Sequence, residues 1–200
     1  MKQRVILCTG GIGSGKSVVV RTFRELGVPS YDCDRSAKEL YDRDPALLED
    51  VVRLAGADVL DAEGRLDRAA LAGRIFSDPA LLRGVEALVH PAVFRDFARW
   101  RAARPEPLVV LESAILLDRP VPPGVFDFVL LVTAPEAVRI ARVMARDGVT
   151  EAEVRRRMAL QGQEAAWKAH SDLVLENNDR QAILPVLIHL IEKLQEHGQN

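Results

Sequence analysis

Cysteine is scarce in this chain, with Cys8 and Cys33 the only two. Cys8 sits inside an apolar run and Cys33 in a polar stretch, so neither a disulfide between them nor a cysteine metal site is expected. Charge of one sign is missing too. Against 29 Asp and Glu stand 27 Lys and Arg, a net charge of −2 with no basic surplus to hold nucleic acid. No apolar run approaches the roughly 20 residues that a bilayer span needs, and the N-terminus shows no signal-peptide pattern. Aromatic residues make up 5%; Trp100, Trp167 and the phenylalanines follow no stacking pattern and are expected in the core. Repeats and low-complexity linkers are absent. Together these lacks exclude the disulfide-scaffold, membrane and nonspecific nucleic-acid-binding classes and point to a cytoplasmic protein. What remains, 48% apolar and 28% charged over 200 residues, suits one globular core with insertions.

Against that background one stretch stands out: Gly10-Gly11-Ile12-Gly13-Ser14-Gly15-Lys16-Ser17. It follows the apolar run Val5–Thr9 and precedes Val18-Val19-Val20, so it reads as a phosphate-binding P-loop between a strand and a helix. Glycines let successive N–H groups turn inward on an anion, and the following helix adds its positive end. Lys16 would reach the β- and γ-phosphates, and the Ser17 hydroxyl would sit on Mg²⁺. The blander alternative is a glycine-rich turn that binds nothing.

The rest of the chain is organised around that loop. A helix from about Ser17 to Leu26 stops at Gly27, and a short extended piece, Val28 to Tyr31, ends on Asp32-Cys33-Asp34. Ligands of open α/β sheets gather at the carboxyl ends of strands, where both the P-loop and the two aspartates fall. Residues 35–104 read as helices only: Ser36–Tyr41, Pro45–Leu54, Arg68–Phe76, Pro79–Val89 and Pro91–Arg104, with Asp67 a cap and Pro79 and Pro91 at helix starts. Such a block is far longer than a normal crossover, which suggests a substrate-holding cap rather than packing mass alone. Strands follow at Leu108–Leu111, ending on Glu112, and at Phe126–Val132, separated by a loop holding three prolines. A helix with Pro135 in its first turn runs to about Asp147. The capping box Thr150-Glu151-Ala152-Glu153 opens another to about Lys168. A last strand, Asp172–Glu176, leads through Asn177-Asn178-Asp179 into a closing helix, Ile183–Leu194. Five strands alternating with helices predict a doubly wound parallel α/β sheet.

Three constellations accompany the loop. The pair Asp32 and Asp34 suits orientation and deprotonation of an acceptor hydroxyl, although Asp34 could instead cap a helix beginning near Arg35. Arg139, Arg142 and Arg146 share a helix, with Arg155, Arg156 and Arg157 on the next. Like charges so close repel, and a polyphosphate offsets that, so residues 135–168 read as an arginine-bearing lid over ATP. Glu112, at a strand end, could help hold Mg²⁺ through water. His90 and Cys33 read more simply as packing residues.

The motifs together resemble the dephospho-CoA kinases. Thr9 to Ser17, Asp32-x-Asp34-x-x-Ala37-Lys38, Leu88-Val89-His90-Pro91, Arg142-x-x-x-Arg146-Asp147-Gly148-Val149-Thr150 with Gln161, and Asp172 to Asn178 match that family in order along nearly the whole chain. The resemblance implies transfer of the ATP γ-phosphate to the 3′-hydroxyl of dephospho-CoA, with Mg²⁺. It implies Asp34, Lys16, Arg142 and Arg146 as the catalytic set. ATP would be held by Gly11, Ile12, Gly13, Ser14, Gly15, Lys16, Ser17 and Val18 with the two arginines, and the acceptor by Asp32, Asp34, Lys38 and His90. It further implies a nucleotide-binding core of 1–34, 105–134 and 169–200, a helical substrate subdomain of 35–104 and the lid at 135–168. A monomer or weak homo-oligomer is expected, without nucleic-acid or membrane partners. Departures are Val18 for a common Thr, Lys38 for Arg, and Ser113–Asp118 for a Pro-Leu-Leu-x-Glu segment.

Two other classes of protein share such a loop. A nucleoside or nucleoside-monophosphate kinase shares the loop, but no Asp-Gly-Phe-Pro-Arg-like segment is present. A P-loop switch that hydrolyses GTP should carry Asn-Lys-x-Asp after a strand, and Asn177-Asn178-Asp179-Arg180 is not that.

Overall fold

The computed structural model describes residues 3–196. The outermost ends of the expected nucleotide-binding core, residues 1–2 and 197–200, lie outside them. The chain divides into two compact units, one of Met1–Asp32 with Pro105–Asn200 and one of Cys33–Arg104.

The first unit is built on a parallel five-stranded sheet of β1 (Arg4–Thr9), β2 (Ser30–Asp32), β3 (Leu108–Glu112), β4 (Phe128–Thr133) and β5 (Leu173–Glu176), in the order β2-β3-β1-β4-β5. Parallel strands covered on both faces need apolar side chains on both, and the inner strands β1, β3 and β4 supply them. Ile6, Cys8, Val110, Leu130, Val132 and Leu175 share one core with Val19, Val20 and Phe23 of α1 (Lys16–Glu25) and Leu187, Leu190 and Leu194 of α9 (Ile183–Glu196). The alternate residues Val5, Leu7, Val109, Leu111 and Leu131 are fully buried as well. Register places Cys8 beside Glu112 and Asp32 beside the same Glu112. The carboxyl edge of the sheet therefore carries Asp32, Glu112 and the entry to the P-loop side by side.

After β4 the chain forms α6 (Glu136–Asp147), α7 (Glu151–Ala159) and α8 (Glu164–Ala169). Pro135 is the N-cap of α6 rather than a first-turn residue, and Gly148 ends that helix at φ +67. Thr150 caps α7 by accepting the Glu153 N–H. The single helix expected from Thr150 to Lys168 is instead two. The break lies at Gly162, whose N–H donates to Asp118; a Cβ there would fall 2.0 Å from Asp118 Oδ1. Asp118 also accepts the Trp167 indole N–H at 2.7 Å. A carboxylate from the β3–β4 loop thus fixes the turn and docks α8, which no local pattern reveals.

The second unit packs α2 (Cys33–Arg43), α3 (Pro45–Ala55), α4 (Arg68–Ser77) and α5 (Pro79–Ala102). Leu40, Leu47, Val51, Leu71, Val85, Val89, Val93 and Phe97 are buried. Asp44, Asp67 and Asp78 accept backbone N–H groups at the starts of α3, α4 and α5, each satisfying donors that a helix start leaves open. Two expectations are corrected here. Asp34 does not cap α2 but lies in its first turn. Pro91 does not open a helix; α5 runs through it as 24 continuous residues. Proline forfeits one backbone bond, yet Val85 and Val89 before it and Ala92, Val93 and Phe97 after it are buried. That burial outweighs the local break.

Candidate active site

The loop between β1 and α1 has the conformation its glycines permit. Gly13 and Gly15 adopt φ +77 and +93, values that other residues rarely take. A Cβ on Gly13 would lie 2.5 Å from the Arg139 carbonyl oxygen, and one on Gly15 would lie 2.0 Å from Asn177 Nδ2. Lys16 Nζ donates to the Gly10 carbonyl at 3.0 Å, folding the ammonium back over the loop, while Ser17 and Val18 are exposed at the start of α1. Ser14 is almost fully buried, and its Oγ has no hydrogen-bond partner among the described residues. A buried hydroxyl left unpaired at the head of a helix, beside a lysine and a cradle too narrow for a Cβ, suits an anion.

The helices after β4 meet this loop. Arg142 reaches the Gly13 and Ser14 carbonyls, each at 3.3 Å, and is anchored by the Asn177 carbonyl at 3.0 Å and Asp179 at 2.7 Å. Asp179 stands at φ +63, a strained value that Asp tolerates better than most residues. Arg146, one turn on, does not reach the loop. It grips Asp147 through two hydrogen bonds of 2.7 and 3.1 Å and is largely exposed. That contact holds the Asp147 carboxyl below its usual range, with Arg157 adding to the effect. Of the two arginines expected over the phosphates, the structure brings only Arg142 to the P-loop.

Three further residues hold the loop and were not singled out for it by sequence patterning. Arg139 donates to the Ile12 carbonyl at 2.9 Å, Gln161 accepts the Ile12 N–H at 2.8 Å, and Asn177 donates to the Ser14 carbonyl at 3.0 Å. Spacing put Arg139 on the same helix as Arg142, and the resemblance noted Gln161 and Asn177, but no periodicity shows which carbonyl each one meets. Arg139 and Glu164 also line a cleft of about 620 Å³ with Thr133, Glu136, Lys168 and Glu176.

The remaining expected residues fall as follows. Asp32 ends β2 beside Glu112. Asp34 and Lys38 belong to the helical unit, both exposed and one turn apart on α2. The Lys38 carbonyl accepts from Arg68 at 3.0 Å. His90 lies inside α5, half-buried. Among the described residues no cluster of His, Cys, Asp and Glu forms a self-sufficient metal site. An Mg²⁺ ion held by the Ser17 hydroxyl, with Glu112 acting through water, would complete its shell with phosphate and water.

Burial pushes the Cys8 thiol from 9.0 up to about 12, with the Glu112 carboxylate adding to the rise and Lys16 opposing it. In a Cys33→Ser variant the native protein should therefore ignore a thiolate-selective reagent at pH 8 and react once unfolded. Because this pKa is raised on folding, its contribution to stability is whole below pH 9 and drains away as pH climbs toward about 12. Denaturation midpoints of Cys8→Ala and the parent across that window check the sign, since the variant should lose less.

A parallel sheet whose first strand opens into a glycine-rich, lysine-bearing loop, with an arginine of a later helix laid over it, is the architecture of a P-loop nucleotide-binding protein. Comparison with known proteins narrows the class. The dephospho-CoA kinase family model matches residues 4–182. The dephospho-CoA kinase of Porphyromonas gingivalis is 39% identical over 193 residues, which is 96% of this chain and 95% of that one. A solved Thermus thermophilus structure superposes with a TM-score of 0.82 at 35% identity, covering 98% of each chain. The Campylobacter jejuni dephospho-CoA kinase, 18% identical, shares the fold with a TM-score of 0.69 over 98% of each chain. This chain belongs to the dephospho-CoA kinase family and is a kinase. Among the described residues, no helix is long and apolar enough to cross a membrane.

Proposed function

We propose that this protein transfers the γ-phosphoryl group of ATP to the 3′-hydroxyl of dephospho-CoA, giving coenzyme A and ADP. The observation that carries the acceptor is the extent of the family match, which takes in the whole helical unit Cys33–Arg104 as well as the P-loop unit as far as residue 182. Gly11 to Val18 surround the phosphates of ATP, with the N–H groups of Gly13, Gly15, Lys16 and Ser17 as donors while those of Ile12, Ser14 and Val18 stay with Gln161, Gly11 and Gly15. The Lys16 ammonium leaves the Gly10 carbonyl for the β- and γ-oxygens. Arg142 neutralises charge spread over the transferring group, and Arg146 joins it by releasing Asp147. Asp34 orients the acceptor hydroxyl and takes its proton, with Asp32 in support; a loose transition state makes positioning the larger part of that role. Lys38 and His90 contact the acceptor. Mg²⁺, bound by Ser17 and through water by Glu112, would neutralise phosphate charge and align the oxygens. A cytoplasmic monomer or weak homo-oligomer completes the reading.

ADP release with dephospho-CoA, AMP, CMP and adenosine as acceptors, measured by a coupled assay, tests the choice. Turnover with dephospho-CoA should dominate. Dominance of a nucleoside or nucleotide acceptor would overturn it.

A further inference from the structure

We infer that Arg139, backed by Glu164, is a positioning residue that locks one peptide of the phosphate-binding loop; this rests on Gly10 to Ser17 being the ATP cradle. The peptide in question joins Ile12 to Gly13. Turning it over changes mainly ψ of Ile12 and φ of Gly13, and glycine accepts φ of either sign at little cost. Nothing in the loop's own covalent structure therefore fixes its direction, although Gly13 stands at φ +77. Because the peptide is trans, its C=O and N–H point opposite ways. Holding the Ile12 carbonyl on the α6 side turns the Gly13 N–H away from α6. Flipped, the peptide would present the carbonyl oxygen where that N–H now points, and carbonyl oxygens repel phosphate.

Arg139 supplies the hold. Its Nε donates to the Ile12 carbonyl at 2.9 Å, and its Nη1 lies 3.2 Å from Glu164 Oε2. The side chain is only 10% exposed, and a buried guanidinium left unpaired would be costly, so carbonyl and carboxylate keep it in place together. The guanidinium lies so close that a Cβ on Gly11 would fall 2.2 Å from its Nη2. Ile12 is restrained twice more. Gln161 accepts its N–H at 2.8 Å, and its side chain packs on Ile140, Val143 and Val154. With the Ile12 N–H committed to Gln161, the direction of the Gly13 N–H matters the more to an anion.

Two variants separate the lock from mere packing or charge. Arg139→Met fills similar space without a donor, whereas Arg139→Gln keeps an N–H donor and loses the charge. The first should weaken ADP binding and raise the KM for ATP by about tenfold, the size expected when a charged hydrogen bond is lost. The second should stay within about threefold of the parent. In both, the KM for dephospho-CoA should hardly move, which a general loss of structure would not allow. The reversed pair, Arg139→Glu with Glu164→Arg, keeps an ion pair but sets a carboxylate against the Ile12 carbonyl; it should remain as defective as Arg139→Met. Unchanged ADP affinity in Arg139→Met, or parental affinity in the reversed pair, would overturn the inference. Calorimetric titration with ADP reads the lock even if dephospho-CoA proves not to be the acceptor, so the two readings fail separately.

Discussion

Asp34→Asn is expected to lower kcat by about two to four orders of magnitude while ATP affinity stays within about threefold. The substitution preserves shape and hydrogen-bonding capacity at the amide oxygen and removes only the charge and basicity. Asp34 lies exposed in the first turn of α2, where the positive end of the helix favours a carboxylate. A purely structural role there would cost about 0.3–1 kcal/mol of stability and leave kcat alone. The two readings therefore diverge in different observables. Steady-state kinetics beside a denaturation curve separates them, and near-parental turnover with a small stability loss would reduce Asp34 to a helix-end charge.

Gly13→Ala should be nearly as damaging, by another route. At φ +77 an alanine is strained by roughly 1 kcal/mol even in open space. Here its Cβ would meet the Arg139 carbonyl oxygen at 2.5 Å and its Cα at 2.9 Å. Those atoms are helix backbone and cannot swing aside as a side-chain tip would. Either the loop or the start of α6 must move, carrying Arg139 and Arg142 away from the cradle. ADP affinity should fall by about a hundredfold, in line with lost charged hydrogen bonds. Gly124 is the internal control: its φ is +75, yet a Cβ there meets nothing within 4 Å. Gly124→Ala should show the strain alone, a small drop in melting temperature with ADP binding intact. Equal effects of the two substitutions on ADP binding would mean that the contact with α6 is irrelevant.

The sheet was legible because each buried strand is an unbroken apolar run, and the P-loop because its glycines and lysine have fixed spacing. Legibility failed where distant residues overrule local punctuation. Pro91 signals a helix start, but burial of Val89 before it and Val93 after it carries α5 through it. The break between α7 and α8 carries only a lone Gly162, and its cause, Asp118, is more than forty residues away. The arginines show the same limit. Spacing makes Arg139, Arg142 and Arg146 look equivalent, whereas burial differs: Arg139 is sealed against Ile12, Arg142 spans loop and β5 turn, and Arg146 stays with Asp147. Periodicity gives the face of a helix, not the partner waiting on it.

That partner logic extends to the family departures. Val18 lacks the hydroxyl of a threonine, and if position 18 lies against ATP as proposed the missing hydrogen bond would cost about 1 kcal/mol; Val18 is exposed and its N–H closes the first turn of α1 on Gly15 at 3.0 Å. Lys38 keeps the positive charge of arginine without its fork, so the acceptor contact proposed for it would rely on charge rather than on paired hydrogen bonds.

The most direct test of the central claim is the identity of the product. Phosphorus NMR of the reaction of this protein with ATP and dephospho-CoA should show ADP and one new phosphomonoester resonance, coupled to the ribose 3′ proton. A phosphoryl group on any other hydroxyl, or ADP formed with inorganic phosphate and no phosphomonoester, would contradict it.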